Sequence, residues 1–111
     1  MGITSWRTHG TEDFGDWAVG EHIANIAQLQ VGDILFKDSA QFNALNLCRV
    51  TRINEEMGNR AYATFINPRN PSEGRIGAGP EPEFCIWDFE LPECAFGNRF
   101  LRAVCATAQA A

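Results

Sequence analysis

The sequence predicts a mainly β protein of the α+β kind: a small curved antiparallel sheet, or a partly open β-barrel, of five to six strands with one short helix packed on it. Short runs rich in Val, Ile, Leu and Phe recur along the chain, separated by turn residues such as Gly, Pro, Asn and Asp. Residues 21–28, with apolar side chains at helical spacing, are the one segment read as a helix. With 111 residues, 45% of them apolar, the chain has the length and the core-forming capacity of one domain, read here as 1–111.

Taken in order, Ile3 to Thr8 reads as a short edge strand, and Gly10 and Gly15 interrupt any long helix around it. Trp6 and Trp17 read as a lid over a small core. From Glu21 to Gln28, the positions of Ile23, Ile26 and Ala27 predict a helix of two to three turns, too short to persist without a sheet beneath it. Gly32 can take the positive φ of a chain reversal, and Asp33 can accept hydrogen bonds from neighbouring backbone N–H groups. The strand Asp33 to Lys37 follows.

Ala44 to Asn54 is the longest β-like run, and its alternation changes phase between Leu47 and Val50, which predicts a bulge. Glu55 to Asn59 has hairpin-turn chemistry, and Arg60 to Asn67 returns as the antiparallel partner. Residues 67–83 hold four of the five prolines and three of the ten glycines, so they predict a mobile loop rather than a helix or a central strand. Phe84 to Phe89 reads as a strand with Phe84 and Ile86 on one side and Cys85, Trp87 and Phe89 on the other. Asn98 to Thr107 is open to two readings, since Phe96, Phe100 and Val104 fit a helical face whereas Leu101, Ala103 and Cys105 alternate; it is read here as a strand that pairs with an earlier one and closes the sheet. Ile34, Phe36, Val50, Phe65 and Ile86 are the expected inward-pointing core. The order of helix, Leu-x-x-Gly-Asp turn and strand over residues 21–53 resembles the PUA-like and ASCH group of RNA-associated barrels, although no RNA-binding residue carries over from it.

Composition narrows the function. A formal charge of −5 repels phosphate polymers and anionic membranes at long range, so either partner needs a local basic patch. Counted by segment, residues 1–48 carry −4, residues 49–75 carry +2 and residues 76–111 carry −3. The basic middle segment holds Arg49, Arg52, Arg60, Arg69 and Arg75, whose guanidinium forks suit phosphate or carboxylate. Arg49 and Arg52 share a face only if a bulge lies between them. With Trp17 and Trp87, these five arginines are the candidate ligand-binding residues for a small anionic ligand.

Cys48, Cys85, Cys94 and Cys105 form no C-x-x-C pair, which argues against a zinc site and, with no charged and apolar leader at the start, predicts a cytoplasmic protein with reduced thiols. No metal or cofactor is expected, and no catalytic residue is assigned. Surplus aromatic side chains (Trp6, Trp17, Phe96, Phe100 and the two-sided strand at 84–89) predict a homodimer. The expectation is therefore a small binding or interaction module. The alternative is a small enzyme using His22 and a carboxylate in a cleft lined by Trp17 and Trp87, since His22 is able to exchange a proton near neutrality.

Overall fold

Seven strands build one antiparallel sheet in the computed structural model, which describes residues 14, 17–40, 44–54, 56, 59–67, 70–74, 83–94 and 96–105. The strands are β1 (Trp17–His22), β2 (Ile34–Ser39), β3 (Ala44–Ile53), β4 (Arg60–Asn67), β5 (Asn70–Gly74), β6 (Phe84–Trp87) and β7 (Asn98–Cys105). Six follow a continuous path, β1-β7-β2-β3-β4-β5, and β6 joins β4 off that path. The sheet is not closed into a barrel: among the described residues its first and last strands, β1 and β5, do not pair. The predicted closing strand is found at β7, but it lies inside the sheet between β1 and β2.

The turn at Gly32 forms as the sequence requires. Gly32 has φ +97°, the Asp33 carboxylate accepts the Gln30 N–H at 2.9 Å, and Gly32 N–H donates to the Val50 carbonyl at 2.8 Å. Backbone and carboxylate together aim β2 at β3, which pair from Ile34↔Arg49 to Ser39↔Ala44. Gly20 is needed for a different reason. A Cβ there would lie 2.8 Å from Val104 Cγ2 and 3.0 Å from the Arg102 carbonyl oxygen, so β1 and β7 can approach only over a glycine.

The predicted helix at 21–28 is replaced by the end of β1 and one 3-10 turn, Ile26–Gln28. Ile23, Ile26 and Leu29 are buried, whereas Ala27 is exposed. That spacing is three, the period of a 3-10 turn, and it mimics an amphipathic α-helix over so short a window. Side chains close the turn: Gln28 Oε1 accepts from Ala24 and Asn25 N–H at 2.7 and 3.1 Å, and Asp88 Oδ1 accepts from Ile26 N–H at 2.7 Å. Arg102 fastens the same corner, donating to Glu21, Asp33 and the Gln28 carbonyl at 3.0, 2.9 and 2.6 Å.

The core occupies both faces of the sheet. Ile23, Leu35, Cys48, Val50, Ala61, Ala63, Ile86, Leu91 and Phe100 are buried on one face, and Phe36, Leu47, Ile66, Leu101 and Ala103 on the other. Of the five residues expected in a single core, Val50, Phe65 and Ile86 belong to the first cluster, and Ile34 and Phe36 to the second. The bulge likewise sits elsewhere. The β3–β4 register slips between Val50 and Arg52, and the apparent phase change at Leu47 and Cys48 arises because β3 is buried on both sides. Part of the 67–83 stretch has structure of its own, since Asn70–Gly74 forms β5, paired to β4 at Ile66↔Gly74 and Asn67↔Asn70. Ile3 to Thr8, Trp6, Arg69, Arg75, residue 68 and residues 76–82 lie outside the described residues.

Candidate functional site

The bulge brings the arginines of β3 together. Arg49 opposes Thr64 and Arg52 opposes Tyr62, so an extra residue at Thr51 restores both side chains to the same face. On β4, Arg60 and Tyr62 are two residues apart and share that face, and Arg60 pairs with Trp87 on β6. Cations and rings therefore alternate across three strands. The Arg52 guanidinium lies 3.9 Å from the Tyr62 ring centroid, and that of Arg60 lies 5.8 Å from Tyr62 and 5.2 Å from Trp87. The aromatic row continues through Phe89, 5.9 Å from Trp87, to Phe96, 5.6 Å from Phe89.

The two cations differ in what they have left to offer. Arg52 is neutralised by Glu83 at 2.8 Å, and Glu83 is fixed in turn by the Thr51 hydroxyl at 2.5 Å. Those two contacts, Thr51 first, hold the Glu83 carboxyl below the usual carboxylate range. Arg60 forms no ion pair with any described carboxylate, and its Nε is buried without an acceptor among the described residues. Beside it, the side-chain oxygen of Asn59 is buried without a donor among the same residues. A buried guanidinium N–H left in this state is costly unless an acceptor arrives.

The remaining candidates are dispersed. Trp17 packs on the Phe36 cluster at the β1 end of the sheet, whereas Trp87 stands at the β4–β6 end. His22 is exposed at the end of β1. Cys48, Cys85, Cys94 and Cys105 are free thiols, and among the described residues no group of three His, Cys, Asp or Glu side chains is arranged to hold a metal ion. No described helix is long and apolar enough to cross a membrane. Of the side chains gathered here, Arg60 and Trp87 are among the sequence candidates and Tyr62 and Glu83 are not; Tyr62 had a signal in its two-residue spacing from Arg60 in a predicted strand.

A second polar group, on the opposite face, was not legible at all. Lys37 on β2 is half-buried, with its ammonium 5.8 and 5.7 Å from the Phe65 and Phe84 ring centroids and donating to Ser39 Oγ at 3.3 Å. Burial pulls its basicity below the ordinary lysine value, against the opposing influence of Cys48 and Glu90. Glu90 is 3% exposed, its carboxylate accepts the Trp87 N–H at 2.8 Å, and burial raises its pKa. Burial also pushes the Cys48 thiol up to about 12, so it stays protonated at neutral pH.

Comparison with known protein families, with curated proteins and with solved structures finds no match.

Proposed function

We propose that this chain is a small binding module whose ligand is a planar anionic compound, its anion on Arg60 and its ring against Tyr62 and Trp87. The observation that carries this reading is the buried Arg60 Nε with no acceptor among the described residues, set between two aromatic rings. The guanidinium fork supplies paired donors, and flanking rings supply a stacking surface that water cannot replace. Arg52 acts here as a scaffold, since its charge is taken by Glu83.

Calorimetric titration with adenosine monophosphate, inorganic phosphate and adenosine tests this. Adenosine monophosphate is expected to bind more tightly than either fragment, and Arg60→Gln to weaken it by about 10–100-fold, as loss of a charged hydrogen bond implies. Equal weakening by Arg52→Gln, or no binding by any of the three compounds, would count against the assignment.

We also propose that the module self-associates, because Phe89 and Phe96, in edge contact with each other, are 61% and 54% exposed. Light scattering at micromolar concentration should give twice the chain mass, falling to the chain mass in Phe89→Ser/Phe96→Ser. A monomer in the parent protein refutes self-association and leaves the Arg60 site untouched.

A further inference from the structure

Lys37 is the only lysine in a chain that uses arginine at every other basic position. The two are not equivalent: a guanidinium cannot release its proton in a protein, whereas an amine can, and burial makes it do so more readily. The one amine side chain stands where burial favours the neutral form.

Its neighbours leave that amine reactive. The Ser39 hydroxyl donates to Asn98 Oδ1 at 2.7 Å, so towards Lys37 it can only accept, and among the described residues no donor occupies the nitrogen lone pair. Phe65, Phe84 and Phe100 form an aromatic wall beside the amine, with centroids 4.8 Å apart for the first pair and 6.4 Å for the second. The charged or titratable groups that act on Lys37 are the Cys48 thiol on β3 and the Glu90 carboxyl after β6, while β7 presents Phe100 opposite it. The Cys48 thiol is committed to the Leu35 carbonyl at 3.6 Å, which leaves Glu90 as the acid of the group.

We propose that Lys37 is a nucleophilic amine that condenses with a small aromatic aldehyde seated against Phe65 and Phe84, with Glu90 as proton donor to the departing water. The amine lone pair forms the new C–N bond while the carbonyl π pair moves to oxygen, and transfer of one proton from nitrogen to that oxygen gives the carbinolamine. Glu90 then protonates the hydroxyl, which leaves as water while the nitrogen lone pair closes the C=N bond. The protonated imine returns its remaining N–H proton to the Glu90 carboxylate, so the step is redox-neutral, restores the acid and is reversed by hydrolysis.

The test uses the whole chain with benzaldehyde and sodium cyanoborohydride, which traps the imine as a stable benzylamine. Lys37 is the sole lysine and the N-terminal amine is the internal reference, so peptide mass spectrometry assigns each label. Labelling of Lys37 at pH 7 is expected to be faster than that of Nα-acetyl-lysine, because a lowered pKa leaves more of the amine free at that pH. Its rate should reach half its maximum below pH 10.5, the ordinary lysine value. Glyoxylate, which has no ring to seat, should label it at least about ten-fold more slowly relative to the N-terminus. Glu90→Gln should slow labelling at pH 7 without changing the benzaldehyde preference. Lys37 left unmodified while the N-terminus reacts, a rate equal to that of acetyl-lysine, or no preference for benzaldehyde would each overturn the proposal.

Discussion

Phe36→Ala should lower the unfolding free energy by about 3–5 kcal/mol, the range for a fully buried phenylalanine whose cavity cannot collapse. Phe36 is 0% exposed and sits in β2 between Leu47 of β3 and Leu101 of β7, both buried in the same cluster. Phe14 meets it edge-on at 5.4 Å. Strands held in register on both sides cannot move inward to fill the space, so transfer and cavity costs add. A domain of this size has a total stability of roughly 5–15 kcal/mol, so the loss is a large share of it. Urea unfolding followed by circular dichroism should show a lower midpoint at unchanged slope. Phe89→Ala, which removes a ring that is 61% exposed, should change stability by no more than about 0.5 kcal/mol, and a comparable loss in both would contradict the two-faced core.

Arg99→Met should cost about 3 kcal/mol or more, out of proportion to a surface charge. Its partner Asp38 is 1% exposed, and the ion pair spans β7 and β2 at 3.0 Å between Arg99 Nε and Asp38 Oδ2. The other Asp38 oxygen is buried without a partner among the described residues, so this arginine is the principal compensation for the buried carboxylate. Removing one member of a buried pair leaves the other charge uncompensated, which is far more costly than removing both. The double variant Arg99→Met/Asp38→Asn should therefore be more stable than Arg99→Met alone, since a neutral amide of the same shape no longer needs a counter-charge. Chemical denaturation of the two single variants and the double variant gives the coupling directly, and strict additivity would refute it.

Strand identity was legible because the chain alternates where it is extended and breaks where it turns. Gly32-Asp33, the β3–β4 hairpin, β6 and β7 follow from local chemistry, except that the strand expected from Phe84 to Phe89 ends at Trp87, where a 3-10 turn, Asp88–Glu90, takes Phe89 out of the sheet. The 21–28 segment misled because Ile23 and Ile26 are buried three residues apart in either conformation; Ala27, which an α-helix would have buried with them, is exposed, and Leu29 takes the next buried place at the spacing of three. The second core was hidden for a similar reason: in β3, Leu47 and Cys48 are adjacent and both buried, which period-two reading takes for a bulge. Arg60 and Trp87 were visible as residue types in a basic segment, but their meeting depends on the β4–β6 register, a pairing across more than twenty residues. Lys37 and Glu90 lie 53 positions apart, and nothing local to either announces the other.

The reading of the chain as a binding module turns on one N–H group, and the Nε–Hε resonance of Arg60 in a nitrogen-15 correlation spectrum observes it directly. Titration with adenosine monophosphate should move that resonance downfield and saturably, together with the indole N–H of Trp87, while the Nε–Hε of Arg52, already held by Glu83, stays in place. An Arg60 resonance that does not move, or one that moves no more than that of Arg52, would contradict the account.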